Sequence, residues 1–273
     1  MDSALAQLID ETRDRRGHIT IVTGAGISAE SGIPTFRGQE GYWTVGAREY
    51  HPQEMATQRT FRQLPREVWH WYLYRRGVCR AAAPNVAHLA LARLGEALGE
   101  RVHVITQNVD GLHLHAGQSP ERTYQVHGNI DFMRCAAACS SAVVPLPPSL
   151  RHATKDGALS DEEYALLRCP RCGGLSRPHI LWFDECYDES VYRADSAMRA
   201  AGRCDLFITV GASGAAALPM HATAEASNAG AAIVDINPHD NPFAAFARES
   251  ARGRWAQSTA GAILPAIVDR LLA

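Results

Sequence analysis

Four of the seven cysteines in this chain fall in two close pairs, Cys135-Ala136-Ala137-Ala138-Cys139 and Cys169-Pro170-Arg171-Cys172. Two such pairs can supply four thiolates to one tetrahedral zinc, and a metal with all four positions filled by protein has no place for water. The spacing predicts a structural zinc; four unligated buried thiols would be the bland alternative. Cys79, Cys186 and Cys204 have no such neighbours and read as packing residues. A second group follows the β-branched run Ile19–Thr23, which breaks into Gly24-x-Gly26-x-x-Ala29. That spacing lets backbone amides approach a pyrophosphate, although glycine-rich turns after strands are common and the motif alone is weak. Ser31-Gly32-Ile33-Pro34 then breaks any long helix, and Thr35-Phe36-Arg37-Gly38 brings a hydroxyl, an aromatic face and a cation, as in a loop folded over a ligand. Downstream, Gln107-Asn108-Val109-Asp110 places two carboxamides and a carboxylate directly after an apolar run, where they serve either a ligand or a turn. His127 is one of twelve histidines and by itself reads as structural.

These residues need elements to hold them. Val102–Thr106, Leu206–Val210 and Ala232–Ile236 read as buried strands like Ile19–Thr23, and each runs into small or amide-bearing residues: Gln107-Asn108, Gly211-Ala212-Ser213 and Asn237-Pro238. Polar residues at the carboxyl ends of strands line the ligand crevice of an open α/β sheet. Helical periodicity over residues 2–16 and 85–99, with a closing helix over 264–272, predicts an α/β fold with a doubly wound parallel, Rossmann-like sheet. Residues 53–80 read as a largely helical lobe. Residues 129–180, with the cysteine pairs and a Pro/Ser stretch, read as a smaller inserted zinc-binding module within a single domain spanning 1–273.

A net charge of -2 offers no field for nucleic acid or an anionic membrane, and no apolar run approaches the roughly 20 residues of a membrane span. With no basic region and apolar core at the N-terminus, a cytoplasmic protein is expected.

The string Gly24-Ala25-Gly26-Ile27-Ser28-Ala29-Glu30-Ser31-Gly32-Ile33-Pro34-Thr35-Phe36-Arg37-Gly38 resembles the signature of the sirtuins, NAD-dependent protein-lysine deacylases. The resemblance extends in order through Gln107-Asn108-Val109-Asp110, His127-Gly128, the cysteine pairs and Trp182-Phe183-Asp184-Glu185. It implies NAD as co-substrate, acylated-lysine proteins as partners, and nicotinamide and O-acyl-ADP-ribose as products. His127 would be the general base, with Asn108 and Asp110 acting on the nicotinamide ribose and carboxamide and Gln107 on the ribose. Cofactor contacts would fall on Gly24, Ala25, Gly26 and Glu30, on Thr35, Phe36 and Arg37, and on Gly211, Ala212, Ser213 and Asn237.

Tyr72 and Arg75, three apart on a helical stretch, can reach one pocket and grip a carboxylate, or can simply be helix residues. They resemble the Tyr-x-x-Arg motif of the sirtuin branch that removes succinyl and malonyl groups. Ala56 matches that branch's small residue, and Thr35 stands where deacetylases mostly carry Asp. Ile180, Trp182 and Phe183 would roof the acyl-lysine tunnel.

Four positions depart from the family pattern: Ala212 and Gly214 lack the usual hydroxyls, Asn129 replaces Ser after His-Gly, and Asp184 replaces Gly. The Asp184 carboxylate would stand close to the tunnel and oppose an anionic acyl group. An ADP-ribosyltransferase or NAD hydrolase, or a non-catalytic NAD-binding module, are the competing readings. A dehydrogenase fits poorly, because no acidic residue ends a second strand.

Overall fold

In the computed structural model, residues 1–34, 43–45, 48–150 and 153–273 are described. Eleven strands occur among them: β1 (Ile19–Thr23), β2 (Trp43–Val45), β3 (Arg48–Tyr50), β4 (Val102–Thr106), β5 (Thr123–Gln125), β6 (Gly128–Cys135), β7 (Val143–Pro145), β8 (Ser176–Ile180), β9 (Leu206–Val210), β10 (Ala232–Ile236) and β11 (Gly253–Ala256). The helices that matter for the site are α1 (Ser3–Asp14), α2 (Gly26–Ala29), α3 (Pro52–Met55), α4 (Gln58–Gln63), α5 (Pro65–Ala81), α6 (Val86–Leu98), α7 (Leu112–His115), α8 (Asp161–Ala165), α9 (Glu189–Tyr192), α10 (Ala194–Ala201), α11 (Ala217–Asn228), α12 (Pro242–Glu249) and α13 (Ala260–Leu272).

The main sheet has six parallel strands in the order β11-β10-β9-β1-β4-β5. β1, β9 and β10 are buried at every position, as β-branched runs covered on both faces should be. One face packs on α1, α6 and α13 through Leu5, Ile9, Leu91, Leu94, Leu264 and Val268; the other packs on α10, α11 and α12 through Ala197, Ala201, Ala222 and Ala247. A side chain such as Ile21 or Leu264, fully excluded from water, contributes about 1.5–3 kcal/mol by that burial. From β1 the chain builds outward to β4 and β5, then crosses back to place β9 on the other side of β1. The strand order therefore reverses at β1, which opens a crevice at the carboxyl ends of β9, β1 and β4.

The sheet is the expected parallel one, with two strands more than the four read from sequence. β5 and β11 are edge strands of three and four residues, too short to show a pattern. α13 also begins four residues before the expected start at residue 264, so Pro265 lies inside it. The Glu30 carboxylate accepts the Gly261 N–H and the Thr259 hydroxyl, which anchors the helix start from a distant part of the chain.

β6, β7 and β8 form a separate antiparallel sheet. The stretch from 129 to 180 does not close a core of its own. Ile130, Met133, Leu159 and Leu167 share one buried cluster with Met55, Phe61, Val68 and Trp69 of α3–α5. The antiparallel sheet thereby packs directly on α5, which carries Tyr72 and Arg75.

Candidate active site and thiolate cluster

The glycine turn after β1 is shaped by the protein's own packing. A Cβ on Gly26 would lie 2.6 Å from the Gly211 Cα, and one on Gly24 2.7 Å from the Ala212 Cα. Gly211 has a positive φ of 59° and donates its amide to Ile236, while its carbonyl accepts the Gly26 N–H at 2.9 Å. The turns after β1 and β9 are thus pressed backbone to backbone, with Ala25 and Gly26 leading into α2. Ala212 is buried against Gly24, so the position that lacks a hydroxyl is one where the side chain faces protein. Gly214 has φ +74°, a left-handed backbone that suits glycine, and a Cβ there would strike Pro242. Ser213 is exposed at the crevice edge. Asn237, after β10, donates its amide to the Ala212 carbonyl at 3.1 Å and ties the turns after β9 and β10 together.

After β4 the polar residues form one connected group. The Asn108 side chain donates to the Gly24 carbonyl at 3.0 Å and to Ser28 Oγ at 3.1 Å, and Ser28 donates to Asp110 Oδ2 at 2.7 Å. Asp110 Oδ1 accepts the Leu112 N–H. Burial pushes the Asp110 carboxyl above its ordinary value, opposed by the bonds from Leu112 and Ser28. Gln107 continues the strand with its N–H on the Thr23 carbonyl.

His127 sits between β5 and β6, with its backbone carbonyl accepting the Leu181 N–H. Gly128 is obligatory there: its φ is +86°, and a Cβ would fall 2.0 Å from the His179 carbonyl oxygen. Burial drives the His127 imidazole down to about 4, against a hydrogen bond to the Gln107 backbone that favours protonation. The ring is therefore neutral near pH 7, as a base must be. Asn129 is buried, with its side chain bonded to Gln125 Oε1 at 2.6 Å and to the Asp131 N–H at 2.9 Å. It braces the loop that carries His127.

On α5, Tyr72 is buried and its hydroxyl accepts the Trp182 indole N–H at 3.0 Å. Arg75 is half-buried, its guanidinium 5.4 Å from the Trp71 ring centre. Burial pushes the Tyr72 phenol up, with the Arg75 charge acting the other way. Ala56 is buried beside them, and its carbonyl accepts the Phe183 N–H at 3.0 Å. Ile180 and Trp182 are buried in the same cluster. Phe183 is 64% exposed, so the expected lining role narrows to Ile180 and Trp182, with Phe183 directed to the surface. Arg177 stacks 3.4 Å from the Trp182 ring centre and pairs with Glu185, which also accepts the Trp182 N–H.

Two expectations change in this setting. Glu30, expected at the cofactor, has its carboxylate committed to Thr259 and Gly261 at the start of α13. Asp184 is not a loose charge over the tunnel: it accepts the Gln58 and Arg59 N–H groups at 2.7 and 3.1 Å, at the start of α4. Thr35, Phe36 and Arg37 lie outside the described residues.

The four cysteines meet as the spacing predicts. Their sulfurs lie within 4.8 Å of one another, with Cys135–Cys172 and Cys139–Cys169 both at 3.6 Å. A tetrahedral zinc with bonds of about 2.3 Å sets its sulfurs roughly 3.8 Å apart, so the donor set fits. Amides of Cys172 and Arg171 pull the Cys169 thiol down to about 6, while the neighbouring Cys135 sulfur pushes Cys139 up to about 12. A cation among them would relieve that repulsion.

Sequence reasoning missed two side chains. Ser28, at the hub of the Asn108–Asp110 group, lies inside the glycine string and was legible by position. Tyr187 places its hydroxyl 2.8 Å from His127 Nε2, and nothing in its sequence context signals that.

The model of the Sir2 family matches residues 24–217. An NAD-dependent protein deacylase of Leptospira interrogans is 33% identical over 98% of each chain. The mitochondrial NAD-dependent protein deacylase sirtuin-5 of Danio rerio is 41% identical over 72% of this chain and 66% of its own. Among solved structures, a Sir2 homolog–NAD complex superposes with a TM-score of 0.76 at 32% identity, covering 99% of this chain and 94% of the other.

Proposed function

The chain belongs to the Sir2 family, and from that premise we propose that it removes acyl groups from protein lysine side chains at the expense of NAD, yielding nicotinamide and O-acyl-ADP-ribose. The observation that carries this reading is the single hydrogen-bonded group Gly24–Asn108–Ser28–Asp110 at the crevice where the strand order reverses. Bound there, NAD supplies a ribose from which nicotinamide leaves and to which the acyl group is transferred. Asn108 and Asp110 orient the nicotinamide end, and their fixed dipoles favour the positive charge that develops at the ribose carbon. The close turns at Gly24, Gly26 and Gly211 present backbone to the phosphates. His127 holds a neutral imidazole that takes a proton from a ribose hydroxyl. The cysteines Cys135, Cys139, Cys169 and Cys172 hold one zinc that fixes the turns around β6 and β8 and takes no part in the chemistry.

The substrate lysine enters beneath Ile180 and Trp182, toward Tyr72, Arg75 and Ala56. Tyr72 accepts from Trp182 and still has its own O–H to donate, and Arg75 follows one turn later on α5. That pair favours a succinyl or malonyl group over acetyl, and the Asp184 carboxylate, which would oppose such a group, is turned to the amides at the start of α4.

The test is turnover of matched acetyl- and succinyl-lysine peptides with NAD, following nicotinamide and acyl-ADP-ribose by mass spectrometry. Succinyl removal should be faster and NAD-dependent. Free ADP-ribose without an acylated peptide, or ADP-ribose attached to protein, would replace this reading with a hydrolase or an ADP-ribosyltransferase.

A further inference from the structure

One ring nitrogen of His127, the proposed base, already has a partner. The Tyr187 hydroxyl lies 2.8 Å from His127 Nε2, and the two rings stack with centroids 5.7 Å apart and planes inclined by 27°. In the neutral tautomer that carries its proton on Nδ1, Nε2 is bare and can only accept. Tyr187 is then the donor. A bare imidazole nitrogen has one lone pair, and a ribose hydroxyl cannot share it while the phenol donates there.

Tyr187 is not set on a hinge. Two residues before it, Glu185 is held by Arg177 and by the Trp182 N–H. One residue after it, Asp188 caps α9 by accepting the Val191 N–H at 2.8 Å. The phenol ring itself packs against the cluster that contains Tyr124, Val126 and Ala194. The flanking residues and this packing hold the ring against His127, and a hydroxyl that donates to Nε2 can still accept a hydrogen bond.

We propose that Tyr187 relays the proton to His127: its oxygen accepts the proton of the ribose hydroxyl while its own O–H proton passes to Nε2. The ribose oxygen uses the electron pair of the broken O–H bond to attack the acyl carbon, the imidazole becomes imidazolium, and the phenol ends with the one proton it began with. Burial raises the Tyr187 phenol to about 12, which disfavours a free phenolate and favours moving both protons together. This rests on the assignment of His127 as the base.

The experiment compares the parent with Tyr187→Phe, Tyr187→Leu and His127→Ala. In the ligand-free protein, nitrogen NMR should read Nε2 of His127 as an unprotonated acceptor whose hydrogen-bond shift is lost in Tyr187→Phe; an unchanged shift would overturn the contact and the relay with it. With NAD and a succinyl-lysine peptide, Tyr187→Phe should slow acyl-ADP-ribose formation roughly tenfold or more, leaving exchange of labelled nicotinamide into NAD within about twofold of the parent. A proton inventory on that slow step should show two protons in flight in the parent and one in Tyr187→Phe. Tyr187→Phe at the parent rate, with Tyr187→Leu slow, would reduce the residue to ring packing and defeat the relay while leaving the base intact. His127→Ala at the parent rate would defeat the base itself. A melting midpoint of Tyr187→Phe within about 2 °C of the parent is the expected control, and the NMR arm still decides the contact if it is lower.

Discussion

The Trp182 indole N–H donates to the Tyr72 hydroxyl at 3.0 Å, joining the roof of the proposed acyl pocket to its floor. Tyr72→Phe therefore does two separable things. It leaves a buried N–H without its acceptor, lowering stability by about 1–3 kcal/mol in a denaturant titration. It also lowers the ratio of succinyl to acetyl turnover. Arg75→Met should lower that ratio while leaving the Trp182 bond intact, so a variant pair that alters stability but leaves the acyl ratio unmoved would make both ordinary helix residues.

Asp184 serves α4 and not the acyl group. Asp184→Ala should lower stability by about 1 kcal/mol through loss of the bonds to the Gln58 and Arg59 amides. The succinyl-to-acetyl ratio should stay within about twofold of the parent. A large gain in succinyl turnover would show instead that this carboxylate repels the substrate.

Gly26→Ala and Gly128→Ala test the backbone contacts beneath the site. Neither Cβ can be accommodated, since each meets backbone atoms, at 2.6 Å from Gly211 Cα and 2.0 Å from the His179 oxygen. Gly128→Ala should be destabilised by more than the roughly 1–3 kcal/mol that a strained φ alone costs. Chemical denaturation measures both, and a Gly128→Ala protein as stable as the parent would contradict the β6–β8 register at Gly128↔Ile180.

Elemental analysis should find about one zinc per chain, held by the four clustered thiolates. Cys169→Ser should lose the metal and loosen β6 and β8. Because these strands share a core with α5, peptide turnover should fall with metal content and recover when zinc is restored. Full activity in metal-free protein would separate the cluster from the site.

Five histidines tie stability to pH, His103 among them, lowered chiefly by burial. Burial, again the largest cause, lowers the other four further: His88, His127 and His179 to about 4 and His113 to about 3, from an ordinary 6.5. Between those values the unfolded chain binds protons that the fold excludes, so stability is full above 6.5 and declines as pH falls through that window. The raised carboxyls of Asp110 and Asp235 act in the opposite sense and offset part of the loss. The melting midpoint should be lower at about pH 5 than at about pH 7, with a shallower slope in His113→Gln. An equal or higher midpoint at the lower pH would mean these rings are protonated in the fold.

The sequence by itself determined four central strands, the turns at their carboxyl ends and the cysteine pairs, because each is written in a short stretch: a β-branched run, a glycine spacing, four thiols. Asn108, Asp110 and His127 stood out only through the resemblance of their motifs to the sirtuins, because each alone reads equally well as a turn or structural residue. Tertiary structure decided what each side chain faces. His127 and Tyr187 are 60 residues apart in the chain, Tyr72 and Trp182 110, and Gln58 and Asp184 126. No local period encodes such pairings; they follow from how α3–α5, the second sheet and the 181–188 segment pack together. The same packing turned Glu30, expected at the cofactor, and Asp184, expected to oppose the acyl group, into anchors of helix N-termini, where unpaired amides offer a carboxylate a nearby partner.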